Sequence, residues 1–138
     1  GKTIYPTNTG FGISYSLPII VACLIAKKDR LLVIENPEAH LHPSAQSKLG
    51  YFLGLMANAG VKILVETHSD HFFNGIRIAI KEGVLSSEQS KIYYFRKELN
   101  KLETLIDEIL INKNGSVNKY PKGFFDQFDN DLDELIGL

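Results

Sequence analysis

Two short apolar runs in the first half of the chain have the pattern of buried strands. The first, residues 31–34, contains four apolar residues in succession and ends on Glu35. The second, residues 61–65, is followed by a polar segment that includes His68. A short apolar run bounded by turn residues is typical of a strand that is buried on both faces, as in a parallel sheet. We therefore predict two buried strands here, each followed by polar residues.

The segment between these strands has the pattern of an amphipathic helix. Pro43 suits the first helical position, and Gly60 suits the stop after a helix that runs to about residue 58. Strand, helix and strand at this spacing predict a right-handed βαβ unit with parallel strands. Both polar strand ends then emerge at one edge of the sheet, where open α/β sheets bind ligands. This arrangement places His68 near Glu35, although the two residues are far apart in the sequence.

Helical and strand patterns also organise the remaining residues. An apolar segment at 13–26 predicts a first helix, and a further helix is predicted from a cap at Asp70 to a stop at Gly83. Residues 91–95 and 104–111 read as strands, Asn114-Gly115 as a hairpin turn, and 126–138 as an amphipathic helix that closes the fold. The predicted fold class is α/β.

The composition is that of an ordinary globular unit without a strong charge bias. The 138 residues are 44% hydrophobic and 22% charged, with a net charge of −1, so no overall positive field favours nucleic acid. The most apolar stretch, residues 17–26, is half the length of about 20 residues that a membrane span needs, so we expect no membrane partner. The single Cys23 cannot form an internal disulfide, and we read it as a small buried hydrophobic residue. A reducing, cytoplasmic location fits this cysteine usage.

Polar side chains at the predicted sheet edge are suited to a hard metal ion and a phosphate. Glu35 would hold Mg²⁺, directly or through water, because this ion keeps most of its waters and takes few carboxylates. Asn36 or Glu38 would position an attacking water, and His68 would contact the transferred phosphoryl group. Phosphoryl transfer needs mainly positioning and charge stabilisation, so a sparse polar cluster is sufficient.

The same region permits a rival chemistry at zinc. Glu38, His40, His42 and His68 carry the nitrogen and oxygen ligands that zinc prefers. Against this reading, the His-x-His pair directly precedes a helix that starts with proline, where alternate residues need not converge. We therefore prefer the interpretation that His40 and His42 are polar residues of a turn and a helix cap.

Three motifs resemble the C-terminal part of AAA-family ATPases of the ABC type, of the RecF/SMC/OLD kind. They read Asn8-Thr9-Gly10-Phe11-Gly12-Ile13-Ser14, then Leu-Leu-Val-Ile-Glu-Asn-Pro-Glu-Ala-His-Leu-His-Pro, then Val-Glu-Thr-His-Ser-Asp. The chain is most similar to predicted bacterial ATPases whose C-terminal region is a domain of unknown function. The resemblance implies a P-loop NTPase-like three-layer sandwich. Residues 8–83 would carry its ATPase motifs, and residues 84–138 would form a family-specific extension.

The resemblance also implies which residues bind nucleotide across a subunit boundary. Gly10, Gly12 and Ser14 fall in the signature motif, which contacts the γ-phosphate of ATP held by a partner subunit. His42 falls in the D-loop region, which approaches the partner across the dimer. ATP and Mg²⁺ are therefore the implied cofactors.

Catalytic roles follow from the same resemblance. Glu35 takes the Walker B position that serves Mg²⁺, and His68 takes the position of the switch histidine. Asn36 stands where the catalytic glutamate usually is, but an amide cannot act as a general base. Hydrolysis is then slow, or Glu38 substitutes as the base.

The chain lacks one motif that such ATPases require. No Gly-x-x-x-x-Gly-Lys-Ser/Thr loop is present, and families of this kind carry it in an N-terminal half. We therefore expect residues 1–138 to be a single C-terminal lobe, inactive by itself, that pairs with an N-terminal P-loop lobe of the same protein and forms a homodimer on ATP binding. DNA is an implied candidate partner, in repair or phage defence. Two alternatives stay open, a non-catalytic interaction module that keeps the ATPase shape and a zinc-dependent hydrolase.

Overall fold

The computed structural model describes residues 11–97 and 103–137 of the chain. These residues form four α-helices and four β-strands, so the fold is α/β as predicted. In chain order the elements are α1 (Phe11–Ile25), β1 (Leu31–Glu35), α2 (Pro43–Asn58), β2 (Lys62–Glu66), α3 (Asp70–Lys81), β3 (Ile92–Lys97), β4 (Thr104–Ile109) and α4 (Gln127–Ile136), with a short 3₁₀ helix at Ser87–Gln89. The predicted signature residue Gly10 lies outside the described residues.

Strands β1 and β2 pair in parallel, which confirms the central structural prediction. The register places Leu31 beside Lys62 and Glu35 beside Glu66. The backbone N–H of Asn36 donates to the carbonyl oxygen of Glu66 at 3.0 Å, so the pairing continues one residue past β1. The carboxyl ends of both strands therefore lie side by side.

The prediction that these strands are buried on both faces is wrong for the described part of the chain. One face packs on α1, α2 and α3 around the fully buried Cys23, and its strand residues are Leu32, Ile34, Ile63 and Val65. The other face exposes Leu31, Val33 and Leu64, each at about 60% (60%, 63% and 59%). The described helices cover only one side of the sheet. Burial raises the pKa of the Cys23 thiol, which is consistent with a structural role for this residue.

Helices α2 and α3 approach each other closely through two glycines. A Cβ atom on Gly75 would lie 2.0 Å from the backbone oxygen of Ser47. A Cβ atom on Gly50 would lie 2.2 Å from the backbone oxygen of Phe72. No side chain larger than hydrogen fits at either position, so the two helices pack backbone against backbone. This contact fixes the start of α3, and with it the segment that carries His68, against α2.

The cap of α3 is Ser69 rather than the predicted Asp70. The buried hydroxyl of Ser69 accepts a hydrogen bond from the backbone N–H of Phe72 at 3.0 Å. Both residue types are common N-caps, so the sequence pattern alone could not decide between them. Asp70 instead takes the first helical position, where its charge suits the positive end of the helix dipole.

The C-terminal residues form a second, smaller core. Strands β3 and β4 pair antiparallel, and Ile111 bridges Val117 around the Asn114-Gly115 turn, which confirms the predicted hairpin turn. Behind this sheet, Phe124 packs with its ring 5.4 Å from that of Phe73 of α3. The aromatic segment before α4 therefore joins the C-terminal sheet to the first half of the chain.

Helix α4 forms as predicted but does not close the fold. None of its residues is buried, and Phe128 and Leu135 are exposed at 76% and 83%. An amphipathic pattern identifies the apolar face of a helix but not whether the surrounding chain covers it. Within the described residues, no helix has the length and apolar character needed to cross a membrane.

Candidate functional site

The candidate site lies where β1 and β2 end. Glu35 and Glu66 pair in register, and residues paired in this way on neighbouring strands point to the same face of a sheet. Both side chains are exposed. Like charges placed opposite each other on a sheet repel, so a cation at this edge would stabilise the arrangement.

His68 lies just beyond β2, and two glutamates hold it. Its Nε2 atom lies 2.8 Å from Oε1 of Glu66, and its backbone N–H donates to Oε1 of Glu38 at 2.8 Å. The imidazole itself is 81% exposed. The structure thus brings His68 to the same sheet edge as Glu35, as the βαβ pattern predicted. Glu66 was missed, although its position at the end of a strand, like that of Glu35, could have identified it.

Glu38 connects the loop after β1 to the end of β2. Its Oε1 atom accepts from the backbone of His68, while its Oε2 atom is buried and has no hydrogen-bond partner among the described residues. A buried, unpaired carboxylate oxygen is unfavourable, so it needs a donor from water or from another part of the protein. Glu38 therefore links the loop after β1 to the segment after β2, because its Oε1 atom accepts the backbone hydrogen bond of His68.

Asn36 occupies a backbone conformation that favours asparagine. Its φ angle is 46°, in the left-handed region, where asparagine and aspartate are enriched several-fold among non-glycine residues. Its side chain is exposed beside Glu35. A glutamate in this conformation would cost roughly 1 kcal/mol in backbone strain. The local turn therefore gives a physical reason for an amide where the resemblance implies a glutamate.

Gln46 of α2 links the loop after β1 to the cap of α3. Its side-chain N–H donates to the carbonyl oxygen of Leu41 at 2.8 Å, and its Oε1 accepts from the hydroxyl of Ser69. These bonds hold Leu41, in the loop after β1, and Ser69, the residue that follows His68. Sequence reasoning missed Gln46, because a glutamine on a helix carries no motif by itself.

The start of α1 packs against the loop that carries the predicted D-loop residues. A Cβ atom on Gly12 would lie 3.2 Å from the backbone oxygen of His40, and the ring of Tyr15 lies 4.8 Å from the imidazole of His40. Ser14 is exposed in the first turn of α1. His42 is exposed, and its Nδ1 accepts from the backbone N–H of Ser44 at 3.3 Å. The interpretation of His42 as a helix cap is confirmed.

The zinc site of the alternative reading does not form among the described residues. No group of three or more His, Cys, Asp and Glu side chains there could hold a metal ion. His42 caps α2, His68 pairs with Glu66, and Glu38 binds the backbone of His68. Each of these side chains has a separate partner, and their donor atoms do not converge.

A magnesium site has different requirements, and the surroundings of Glu35 are compatible with them. Its exposed carboxylate makes no hydrogen bond or ion pair with any other described residue. Mg²⁺ usually binds through one or two carboxylates together with waters and substrate phosphates. A single available carboxylate at the carboxyl end of a strand fits that ion when a nucleotide supplies the remaining ligands.

Comparison with known families identifies the class of protein as AAA-family ATPase-related, with a C-terminal region of unknown function. A family model described as "AAA domain, putative AbiEii toxin, Type IV TA system" matches residues 1–74, more than half of the chain, and the chain belongs to this family. A second family model, a protein of unknown function (DUF3696), matches residues 85–135. No curated protein and no solved structure matches the chain.

Proposed function

We propose that the chain is the C-terminal lobe of an ATP-hydrolysing enzyme of the ABC type, of the RecF/SMC/OLD kind. One observation supports this most directly. Parallel neighbouring strands carry Glu35 and His68 to one sheet edge, within a chain that belongs to an AAA family. An acid for Mg²⁺ and an imidazole for a phosphoryl oxygen are what phosphoryl transfer needs at such an edge.

The exposed face of the parallel sheet supports the proposal that an N-terminal lobe packs against it. Parallel sheets are normally covered on both faces, and two strands alone are marginally stable. Here Leu31, Val33 and Leu64 are about 60% exposed on a two-stranded parallel sheet (60%, 63% and 59%). We propose that the N-terminal P-loop lobe of the same protein adds strands beside β1 and β2 and covers this face. The result would be the three-layer sandwich of a P-loop NTPase.

Each residue of the site then has a defined task. Glu35 would hold Mg²⁺, directly or through water, and His68 would donate to a phosphoryl oxygen. Gly12 and Ser14, in the first turn of α1, lie at the positive end of the helix dipole. That end favours a phosphate, here one held by a second subunit. Magnesium held by Glu35 would neutralise charge that develops on the phosphate oxygens.

The site has no evident general base to activate the attacking water among its described residues. The amide of Asn36 can orient a water but cannot take its proton. Glu38 cannot easily replace it, because one of its oxygens binds the backbone of His68 and the other is buried. We therefore propose slow hydrolysis, in which a long-lived ATP-bound dimer is the working state. A role on DNA, in repair or phage defence, is proposed by analogy alone.

ATP hydrolysis by the full-length protein tests the proposal. We expect Mg²⁺-dependent release of phosphate, with a specific activity that rises with protein concentration because the site is completed across a dimer. The chain of residues 1–138 alone should release none. A full-length protein with an intact P-loop that hydrolyses no ATP at any protein concentration would refute the proposal.

Replacing Asn36 with aspartate is expected to raise the hydrolysis rate about tenfold or more, since a positioned general base contributes roughly 10²- to 10⁴-fold. Aspartate is preferred to glutamate because it tolerates the left-handed backbone at φ 46°. Phosphate release under saturating ATP measures the effect. Asn130→Asp, which adds the same charge in α4, is the matched control and should leave the rate unchanged. An unchanged rate in Asn36→Asp would show that a carboxylate at residue 36 does not act as a base on the attacking water.

A non-catalytic interaction module is the second candidate, and the amide at position 36 is the observation that favours it. In that case the protein would keep the ATPase shape and bind a partner without turnover. Glu35→Gln should then leave partner binding intact. If the same substitution abolishes partner binding, ATP and Mg²⁺ are part of the binding cycle and the purely non-catalytic reading fails.

A further inference from the structure

Two carboxylates stand side by side at the sheet edge, but only one of them is engaged. Glu66 lies 2.8 Å from Nε2 of His68, and this is the only partner of that imidazole among the described residues. Glu35, paired in register with Glu66, makes no side-chain bond within the same part of the chain. The two acids therefore have different surroundings despite their equivalent places on the strands.

We propose that Glu66 is a positioning residue for His68, so that Glu35 serves the cation while Glu66 orients the imidazole. This inference rests on the proposed ATPase function. It assigns a role to Glu66, which lies within the third motif but to which the family resemblance gave no role. Glu66 acts through His68 and does not touch the nucleotide itself.

The backbone around His68 is already fixed from both sides. Glu38 accepts from the backbone N–H of His68 at 2.8 Å, and Ser69 is held in the hydrogen-bond network of Gln46. The side-chain torsions of His68 are then the main freedom left, because its imidazole is 81% exposed. The close contact of Nε2 with Glu66 restricts that freedom.

The geometry also determines which ring nitrogen faces the substrate. With Nε2 facing Oε1 of Glu66 at 2.8 Å, Nδ1 is the nitrogen left for a phosphoryl oxygen. An exposed ion pair of this kind adds little to folding stability, typically about 0–1 kcal/mol. Its effect is expected in the reaction, where orientation of a catalytic group matters more than its contribution to stability.

Kinetics of the full-length protein test this role through a double-mutant cycle. We expect His68→Ala to lower kcat roughly 100-fold and Glu66→Ala roughly tenfold, with little change in KM for ATP. Glu66→Gln, whose amide oxygen can occupy the same place beside Nε2, should retain most of the activity. In the His68→Ala background, Glu66→Ala should have no further effect, because a positioning residue has nothing left to position. Glu88→Ala, an exposed glutamate in the 3₁₀ helix, is the control and should match the wild type.

A second measurement does not depend on turnover. The order parameter of the His68 ring, measured by NMR relaxation without nucleotide, should fall below about 0.6 in Glu66→Ala and stay near the wild-type value in Glu66→Gln. The ring of His71, which faces Asp70, should not change in either variant. An unchanged His68 ring in Glu66→Ala would overturn the inference even if the protein is an active ATPase. Conversely, a mobile ring in a protein without ATPase activity would leave the contact established and refute the proposed function instead.

One competing role for Glu66 gives a distinct result. As a second ligand of Mg²⁺ beside Glu35, Glu66 would set the metal requirement, so Glu66→Ala would raise the Mg²⁺ concentration needed for half-maximal activity about tenfold or more. That outcome, or an equal loss of rate with and without His68, would overturn the positioning role. We expect the Mg²⁺ requirement to be the same as in the wild type.

Discussion

Gly75→Ala is expected to lower the free energy of unfolding by roughly 2 kcal/mol or more. The new Cβ atom would lie 2.0 Å from the backbone oxygen of Ser47 and 2.9 Å from the backbone nitrogen of Tyr51. Alanine gains about 1 kcal/mol of helix propensity over glycine, whereas overpacking costs typically 1–3 kcal/mol and occasionally more. The clash is expected to exceed the gain because the neighbours are backbone atoms, which cannot rotate away as a side chain can. Only a separation of α2 from α3 would relieve it.

Urea denaturation monitored by circular dichroism measures this effect, with Gly83→Ala as the matched control. Gly83 follows α3, and a Cβ atom there would meet nothing within 4 Å, but its φ angle is 74°. Gly83→Ala should therefore lower the free energy of unfolding by only roughly 1 kcal/mol, the cost of placing alanine in a left-handed backbone conformation. If Gly75→Ala is as stable as the wild type, or if Gly83→Ala is the more damaging change, the close contact between α2 and α3 does not govern stability.

The same contact is relevant to the site. Helix α2 carries Gln46, and α3 begins at the cap residue Ser69, whose hydroxyl bonds to Gln46. Separating the helices would loosen that bond and the segment that carries His68. The α2–α3 contact therefore supports the backbone that carries His68, although neither glycine lies at the sheet edge.

Local sequence patterns were sufficient to predict the parallel pair and the helices around it. The apolar runs before Glu35 and Glu66, and the proline-started helix between them, define a βαβ unit because each signal depends on nearby residues. The placement of Glu35 and His68 at one sheet edge followed from this topology alone. Elements whose signals are local and mutually consistent are the ones that a single sequence specifies well.

Burial was predicted less well, because it depends on which other elements are present. An apolar run such as 31–34 is the same whether its outer face meets a helix, another lobe or solvent. In the same way, the apolar face of α4 was read as a core face, yet Leu135 is 83% exposed. Both errors concern surfaces that the described chain does not cover.

The sequence predicted which candidate residues share the sheet edge, but not the contacts between them. His68 was identified by its place after β2, whereas Glu66 and Glu38 were not recognised as the residues that hold it. Glu38 and His68 are thirty residues apart, so no local pattern encodes their contact. Glu66 is only two residues from His68, and its place at the end of β2 could have identified it. The φ angle of Asn36 was likewise invisible in the sequence, although it explains the departure from a glutamate at that position.

Glu35→Gln is expected to reduce ATP hydrolysis by the full-length protein roughly 100-fold, with little effect on folding. Glutamine keeps the size of the side chain but removes the negative charge on which Mg²⁺ binding depends. Because Glu35 bonds to no other described residue and stands beside Glu66, losing its charge should change stability by no more than about 0.5 kcal/mol. Initial rates over a range of Mg²⁺ concentrations, together with a thermal unfolding curve, separate the two effects.

Glu88→Gln makes the same chemical change at an exposed position in the 3₁₀ helix and should preserve both rate and stability. Retention of the wild-type rate and Mg²⁺ dependence in Glu35→Gln would mean that this carboxylate does not serve the metal. Among the described residues of the parallel pair, Glu66 would then be the strand-end acid left for that task. Loss of stability without loss of rate would make Glu35 a structural residue instead. The expected pattern, a large loss of rate with folding preserved, requires that the acid at the end of β1 is kept free for a cation that the nucleotide brings.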